Sequence, residues 1–429
     1  MNVQKISIRN FRCFAHLETE LHPKMNVIIG NNGAGKSTVL DALSIGIGSF
    51  LLGIDGISVS GIPMEDIRYI SYQTGSLIDR QPQFPVKISC DGQINQKQLH
   101  WNRERKALKG KTSGEITQIK SIASQMQEQI RKGNQEIILP LIAFYGTGRL
   151  WAQNPETSNP TEINNRFQGY KDCLSAMSNQ KQMLKWFEQM TLAELQEGVK
   201  LPELTAVRNA VAECYLESGA DVHDVNISFN VRSHQLEITY MDSENHPQKH
   251  PFHELSDGYR NTLSLVADIA YRMALLNPQL LENTIKQTDG IVLIDEIDLH
   301  LHPIWQKRIL NTLQKIFPCI QFIVTTHAPV VISSANQESI LILDGQTCTP
   351  FRYETYGKDA NSVLLEVMGT SERPDEITQL FDDFHHFMDE ENYQKAQEIL
   401  NQLRELLGDN DNGVITADVE LNFAKDFGG

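Results

Sequence analysis

The segment Gly30-Asn31-Asn32-Gly33-Ala34-Gly35-Lys36-Ser37 decides the fold of this chain. It fits the spacing G-x-x-x-x-G-K-S, in which backbone N–H groups of a glycine-rich turn surround phosphate oxygens. In that motif the lysine reaches the terminal phosphates and the serine binds Mg²⁺. The apolar run 25–29 predicts a buried strand before the motif, and residues 37–47 have helical spacing after it. A glycine turn with a chance lysine would not need both neighbours, so we expect a P-loop that binds ATP and Mg²⁺.

A second candidate site ends an apolar run near the other end of the sequence. Residues 291–294 predict a buried strand that delivers Asp295 and Glu296 at its carboxyl end, where α/β sheets bind their ligands. An aspartate there can hold Mg²⁺, and the adjacent glutamate can polarise a water for attack on the terminal phosphate. Two carboxylates could equally form a solvated turn. The P-loop in the same chain favours the catalytic interpretation.

The composition is that of an ordinary globular protein and excludes several classes. The chain has 429 residues, of which 40% are hydrophobic and 21% charged. We find no run of about 18 apolar residues and no signal peptide, so we expect a cytoplasmic protein without membrane contact. The six cysteines lack C-x-x-C spacing, which disfavours a zinc site or a redox pair.

Charge is distributed unevenly along the chain. The formal net charge is −16, and the stretch from Glu366 to the end carries 16 acidic against four basic residues. The acidity therefore belongs mainly to the tail, and it argues against a protein that coats nucleic acid with its whole surface. Residues 97–111 are instead basic. They contain six Lys or Arg residues and Trp101, and their single acidic residue is Glu104. We expect either nucleic-acid contact there or a solvated hairpin.

Hydrophobic periodicity places the remaining elements. We predict four domain-scale segments: an N-terminal ATPase lobe, a mostly helical insertion with return strands, a C-terminal ATPase lobe and an acidic helical tail. Their expected bounds are 1–150, 151–247, 248–350 and 351–429. We also predict a hairpin that turns at Asp91-Gly92 and strands at 3–8, 141–145, 225–231, 236–240, 322–326 and 340–343. Helix is expected at 115–131 and within 170–218. Two tail helices follow: the first begins at about Pro374, and the second ends at Gly408.

Two further motifs carry a resemblance to a known family. Residues 255–260, Leu-Ser-Asp-Gly-Tyr-Arg, resemble the ABC ATPase signature Leu-Ser-Gly-Gly-Gln, from which Asp257 and Tyr259 depart. Thr325-Thr326-His327 resembles the switch histidine. With the opening strand 6–14, these motifs make the chain similar to ABC-type ATPases of the group that includes RecF, the structural-maintenance (SMC) proteins and the overcoming-lysogenization-defect (OLD) nucleases.

This resemblance implies an α/β ABC-ATPase head: a P-loop sheet with helices, a β-rich lobe, a helical insertion and a C-terminal helical tail. It also implies that two heads enclose two Mg-ATP in a homodimer, with Ser256 and Gly258 contributed by the opposite head. Catalytic roles fall on Glu296, His327 and Lys36, and metal ligation on Ser37 and Asp295. The expected nucleotide-binding residues are Arg12, Gly30, Asn31, Asn32, Gly33, Ala34, Gly35, Lys36, Ser37, Thr38, Ser256 and Gly258.

Three segments resemble a narrower branch of the group. Residues 141–151, 296–303 and 356–361 look like parts of the ATPase component of Septu anti-phage systems and of related retron-associated ATPases. That branch implies higher homo-oligomers and an HNH-type nuclease partner on a separate chain, since about a hundred residues follow His327 in this chain of 429. The alternatives are a RecF-like DNA-binding ATPase of repair and a nucleotide-binding scaffold without turnover. A metal at His300 and His302 is disfavoured because no third ligand is nearby.

Overall fold

The computed structural model describes residues 1–74, 76–150, 165–175, 180–219, 221–352, 355–367, 369 and 373–427. They form two compact units, residues 1–357 and 358–429. The expected lobes 1–150 and 248–350 both belong to the first unit, as do the described residues of the insertion 151–247. Residues 151–164 of that insertion, including Trp151 of the Septu-like segment, lie outside the described residues.

The first unit combines several sheets with the helices that cover them. Its strands are β1 (Asn2–Phe11), β2 (Phe14–Glu20), β3 (Met25–Ile29), β4 (Tyr69–Thr74), β5 (Leu77–Pro82), β6 (Val86–Ile94), β7 (Lys97–Arg105), β8 (Leu141–Tyr145), β9 (Val222–Asn230), β10 (Gln235–Asp242), β11 (Pro247–Pro251), β12 (Gly290–Ile294), β13 (Ile320–Thr325), β14 (Ile340–Asp344) and β15 (Thr347–Pro350). Its helices are α1 (Lys36–Leu51), α2 (Thr117–Arg131), α3 (Gln180–Glu197), α4 (Pro202–Leu216), α5 (Asp257–Leu276), α6 (Thr284–Gln287), α7 (Pro303–Gln306), α8 (Ile309–Ile316) and α9 (Pro329–Ile332).

A six-stranded sheet positions the candidate site. Its order is β15-β14-β3-β13-β12-β8, and the strands from β14 to β8 pair in parallel. Every residue of β3, β12 and β13 is buried, which is why these strands are mainly apolar in the sequence; the polar Asn26, Gln321 and Thr325 are buried with them. Because parallel strands end at one edge, the loops after these three strands meet there, with β13 in the middle. The α/β class and the P-loop sheet are confirmed.

A four-stranded antiparallel sheet, β2-β1-β6-β7, packs against α1. The indole N–H of the buried Trp101 donates a 2.9 Å hydrogen bond to the carbonyl of Gly46 on that helix. The predicted hairpin is present, but its turn was placed wrongly. Asp91 and Gly92 lie within β6, and the turn is at Asn95 and Gln96, both of which have positive φ.

A third sheet, β11-β10-β9, belongs to the helical insertion and its return strands. The prediction of helix within 170–218 is met by α3 and α4, and the strands predicted at 225–231 and 236–240 correspond to β9 and β10. The sequence analysis missed β2, β4, β5, β11 and β15; of these, β2 and β11 are polar along much of their length. α5 packs against α4, so the insertion is continuous with the ATPase core.

The second unit is helical and has a core of its own. Its helices are α10 (Ala360–Glu366), α11 (Asp375–Asp389), α12 (Tyr393–Leu407) and α13 (Asn412–Phe427). The two predicted tail helices are α11 and α12, and α12 ends at Gly408 as expected; α13 was not predicted. The residues buried where α11, α12 and α13 meet are Phe384, Ala396, Leu400, Leu403, Val414, Ala417 and Leu421. Across the described residues of both units, no helix has the length and apolarity needed to cross a bilayer.

Candidate nucleotide-binding site

The P-loop lies between β3 and α1, in the position the motif predicts. Gly35 has φ 103°, in the left-handed region that favours glycine. A Cβ atom there would lie 2.6 Å from the Phe14 ring and 2.8 Å from the Cys13 sulfur. The turn between β1 and β2 therefore packs directly on the loop, and only glycine permits the contact. The hydroxyl of Ser37, in the first turn of α1, is on an exposed residue.

Lys36 is 6% exposed and closes over its own loop. Its Nζ donates hydrogen bonds to the carbonyls of Gly30 at 2.9 Å and Asn31 at 3.2 Å. Burial lowers the pKa of Lys36, and the negative charges of Asp295, Glu296 and Asp298 oppose that shift. The structure therefore brings three carboxylates from the end of β12 within electrostatic reach of the P-loop lysine.

Thr325, the last residue of β13, connects the two acidic residues predicted as functional. Its hydroxyl donates a 2.5 Å hydrogen bond to Asp295 Oδ1 and accepts a 2.8 Å bond from the backbone N–H of Glu296. Both Thr325 and Asp295 are buried. The central strand β13 thus holds in place the carboxylate of Asp295, which follows the neighbouring strand β12. The sequence analysis used Thr325 only as part of a motif and missed this positioning role.

Glu296 leaves β12 with an unusual backbone conformation. Its φ is 49°, which costs a non-glycine residue about 1–3 kcal/mol. The neighbouring backbone holds it there, because the N–H of Ile297 donates a 2.9 Å bond to the carbonyl of Thr325. This strain is located where the resemblance assigns the general base, as is common for functional residues.

His327 and Asp298 complete the cluster. The pKa of His327 is lowered by burial and by the charge of Lys36, which together outweigh Asp298, Glu296 and Asp295. The imidazole is therefore neutral near pH 7 and has one donor and one acceptor nitrogen. Asp298, a second residue missed as a site component, accepts a 2.5 Å bond from the Thr326 hydroxyl.

Arg12 lies on the β1–β2 turn that packs on the P-loop. Its Nε donates a 2.6 Å bond to Asp66, and its Nη1 pairs with Asp41 on α1. Its φ of 46° is again in the left-handed region. The structure thus brings Arg12 beside the loop, as expected. Neither acidic partner was predicted, because each is separated from Arg12 by tens of residues.

The signature segment begins α5, with Ser256 exposed at its N-terminal end. A Cβ atom on Gly258 would lie 2.6 Å from the carbonyl oxygen of His300, so glycine is needed where the loop after β12 passes the helix. The two departures from the ABC pattern have local roles. Asp257 pairs with Arg260 at 2.5 Å, and the Tyr259 ring packs edge-on against Trp305 with centroids 4.9 Å apart.

The residues present fit Mg²⁺ as a companion of ATP. Ser37 and Asp295 offer hydroxyl and carboxylate oxygens, which are the ligands that this hard cation prefers. A histidine-based metal centre finds no support: within the described ranges no group of three or more His, Cys, Asp or Glu side chains is arranged to hold an ion. His302 instead caps α7, its Nδ1 accepting a 3.4 Å bond from the N–H of Ile304.

The structure shows which side chains of residues 97–111 are accessible, the segment for which nucleic-acid contact and a solvated hairpin were both expected possibilities. Trp101, Arg103 and Arg105 are 1%, 4% and 9% exposed. Trp101 is committed to α1, and Arg105 donates hydrogen bonds to backbone carbonyls, including that of Ile62 at 2.7 Å. Of the six cations of this segment, the four lysines are exposed and the two arginines are buried. Trp101, Arg103 and Arg105 are therefore too buried to contact a nucleic-acid strand that lies on the surface.

Comparisons with known proteins match two family models and several relatives to this chain. A family model described as an AAA domain matches residues 5–217, and a second model, also described as an AAA domain, matches 187–333. The chain is 28% identical to the "Retron Vc95 probable ATPase" of Vibrio cholerae, over 87% of this chain and 80% of that protein. It is 25% identical to the "Septu protein PtuA" of Bacillus mycoides, over 80% of this chain and 40% of that protein. It is also 49% identical to the "DNA replication and repair protein RecF" of Colwellia psychrerythraea, over 10% of this chain and 11% of that protein.

The double hydrogen bond of Thr325 yields a first prediction. Thr325→Val keeps the shape but leaves Asp295 Oδ1 and the Glu296 N–H without this partner, a loss of about 1–3 kcal/mol for each buried group. We expect Mg²⁺-dependent ATP hydrolysis to fall roughly 10- to 100-fold, as for other residues that orient a metal ligand. Steady-state rates across a Mg²⁺ titration measure this. Thr312→Val, a buried threonine of α8, is the control; equal rates for both variants and wild type would refute the positioning role.

Proposed function

The chain is an ATPase of the RecF, SMC and OLD-like group, and from this premise we propose that it hydrolyses ATP at a head-to-head dimer and regulates a separate nuclease in anti-phage defence. The observation that carries the defence role is the likeness to the Vibrio retron ATPase along 87% of this chain. The RecF likeness covers 10% of the chain, so a repair role has narrower support.

The proposed chemistry is attack of water on the terminal phosphate of ATP. Backbone N–H groups of the P-loop would bind the phosphates, and Lys36 would turn from the carbonyls of Gly30 and Asn31 to the terminal phosphate oxygens. Mg²⁺, held by Ser37 and Asp295, would neutralise phosphate charge. Glu296 would orient and deprotonate the water. His327, neutral at pH 7, would donate a hydrogen bond toward the same phosphate.

The dimer is proposed because the two halves of the expected site differ in accessibility within one chain. Lys36 and Asp295 are buried around the sheet edge, whereas Ser256 is exposed at the start of α5 and its side chain does not cap that helix. An exposed hydroxyl at a helix N-terminus suits a phosphate approaching from another subunit. Each site would then be completed by Ser256 and Gly258 of the partner head.

The roles of Glu296 and Lys36 separate by substitution. Glu296→Gln keeps the size and loses the base, so we expect ATP binding to persist while hydrolysis falls by about 10²- to 10⁴-fold. Lys36→Ala should abolish binding, because the buried ammonium is lost. Binding by calorimetry and turnover by phosphate release measure both. Asp344→Asn, an exposed acid ending β14 of the same sheet, is the control; wild-type turnover in Glu296→Gln would exclude Glu296 as the base.

The composite dimer site yields a different signature. Ser256→Arg should leave ATP affinity unchanged, because the residue acts on nucleotide held by the other head, yet hydrolysis should be lost. Wild-type specific activity should also rise with protein concentration as heads associate. Ser233→Arg, at another exposed serine of the first unit, should behave as wild type. Full turnover in Ser256→Arg would contradict the head-to-head arrangement.

The second unit is the proposed docking surface for the nuclease. From Glu366 onward the chain carries 16 acidic against four basic residues. Residues 375–427 nevertheless fold around their own apolar core, so the acidic residues are held on a defined helical surface. A nuclease that acts on nucleic acid, of the HNH type in our proposal, presents positive charge, and complementary charge speeds docking. Higher homo-oligomers would array several such surfaces.

Charge neutralisation in the full chain tests the docking surface. The triple variant Glu398→Gln, Glu405→Gln and Glu420→Gln removes exposed charges of α12 and α13 without touching their core. We expect association with the proposed nuclease partner to weaken several-fold at low salt and to converge with wild type at high salt. The matched control changes three exposed glutamates of the first unit, Glu136, Glu244 and Glu338. Equal weakening in both triple variants would contradict docking on the second unit.

A further inference from the structure

A cleft in the first unit, outside the candidate ATPase site, has an unusual lining. It lies between the loop at residues 60–63 and the end of β7 with the loop that follows it, and its volume is about 600 Å³. That size is within the range of ligand sites, roughly 300–1,000 Å³. The P-loop, the end of β12 and His327 contribute nothing to the lining, which includes Ile62, Arg103, Arg105, Lys109, Lys111 and Thr112.

The lining is strongly cationic. Arg103, Arg105, Lys109 and Lys111 face the cleft, and the described residues that line it include no aspartate or glutamate. Glu104 does not offset them, because it lies outside the lining and pairs with Lys106 at 2.9 Å. Low-dielectric walls concentrate the field of such a group, so the cleft attracts anions.

Arg103 is the decisive residue, because part of its guanidinium is buried without a partner. The side chain lies in a residue 4% exposed, and its Nη1 makes no hydrogen bond. Burial lowers the pKa of Arg103, and no neighbouring acid opposes that shift. Burying a cationic donor without a partner destabilises the folded chain, so its retention calls for an explanation.

Arg105 shows what a structural arginine does in the same cleft. Its guanidinium donates to three backbone carbonyls, those of Ile62 at 2.7 Å, Leu108 at 2.6 Å and Ala107 at 3.3 Å. These bonds hold the two walls of the cleft together. Arg105 thus serves as a framework for the cleft, and Arg103 keeps donor capacity for something else.

We propose that this cleft binds a phosphate group of a ligand distinct from the ATP held by the P-loop. On binding, the Arg103 side chain would turn so that its Nη1, which is buried here, reaches phosphate oxygens in the cleft, and the planar guanidinium is well suited to bind them. Lys109 and Lys111 would neutralise charge at the rim. Thr112, whose hydroxyl already accepts a 2.8 Å bond from the N–H of Ile62, has its own O–H left to donate to the anion. The phosphate belongs to a small molecule or to the end of a nucleic-acid strand.

The test measures pyrophosphate binding by calorimetry at constant ionic strength, in full-length protein carrying Lys36→Ala so that the P-loop does not contribute. We expect saturable binding to one site per chain. Adding Arg103→Met should weaken it about 10- to 100-fold, the effect of losing a hydrogen bond to a charged group of about 1.5–3 kcal/mol. Because it removes an unpaired buried charge, Arg103→Met should unfold at the same or a higher urea concentration than its parent. Lys109→Gln with Lys111→Gln provides a second, exposed pair of changes and should weaken binding as well.

Competition then identifies the source of the phosphate. A short single-stranded oligonucleotide with a 5′-phosphate competes with pyrophosphate if the cleft binds strand ends, whereas its unphosphorylated form does not. If neither competes, the ligand is a small phosphate-bearing molecule. Absence of pyrophosphate binding to the Lys36→Ala protein would overturn the proposal, and so would an Arg103→Met variant of that protein that binds pyrophosphate as tightly as its parent.

Discussion

The hydroxyl of Thr325 is the contact on which the site geometry depends. It bonds to the carboxylate of Asp295 and to the N–H of Glu296, and so links the ends of β13 and β12. β13 also pairs with β3, which leads into the P-loop. One strand therefore sets the position of the acidic pair relative to Lys36. A small shift of β13 would move the acidic pair after β12 and the P-loop after β3 together.

Charge at the sheet edge is arranged around this contact. Lys36 and His327 both have lowered pKa values, in each case chiefly because they are buried. The three nearby carboxylates oppose the lowering of both pKa values but reverse neither shift. The site thus holds one positive group, one neutral imidazole and several acids. A protein surface of that kind favours a ligand that brings a divalent cation with its phosphates, which is the form in which cells hold ATP.

The sequence predicted those features of the fold and the site that depend on local sequence patterns. The P-loop, the buried strands and the acidic pair follow from motif and period, and the positions of Lys36, Asp295, Glu296 and His327 around one edge follow from parallel-sheet topology. Asp41, Asp66 and the role of Asp298 were missed because their partners lie far away in the chain. α13 was missed for another reason: its amphipathic pattern is weak, and its burial depends on α11 and α12. Elements such as α13 depend on tertiary contacts, which the local sequence does not reveal.

The basic segment 97–111 shows why a charge count does not say which side chains reach the surface. Trp101, Arg103 and Arg105 are spaced by two along β7, so they point to the same face of the strand. Trp101 is the residue most certain to be buried among them, and a period of two then places both arginines on its side. The charge count of the segment could not show this, because it ignores direction. Because both arginines are buried, their hydrogen-bond partners matter more than their number. Arg105 donates to backbone carbonyls, and Arg103 does not. The unpaired Nη1 of Arg103 is therefore a consequence of packing, and the side chain lies at an open cleft lined by cationic residues.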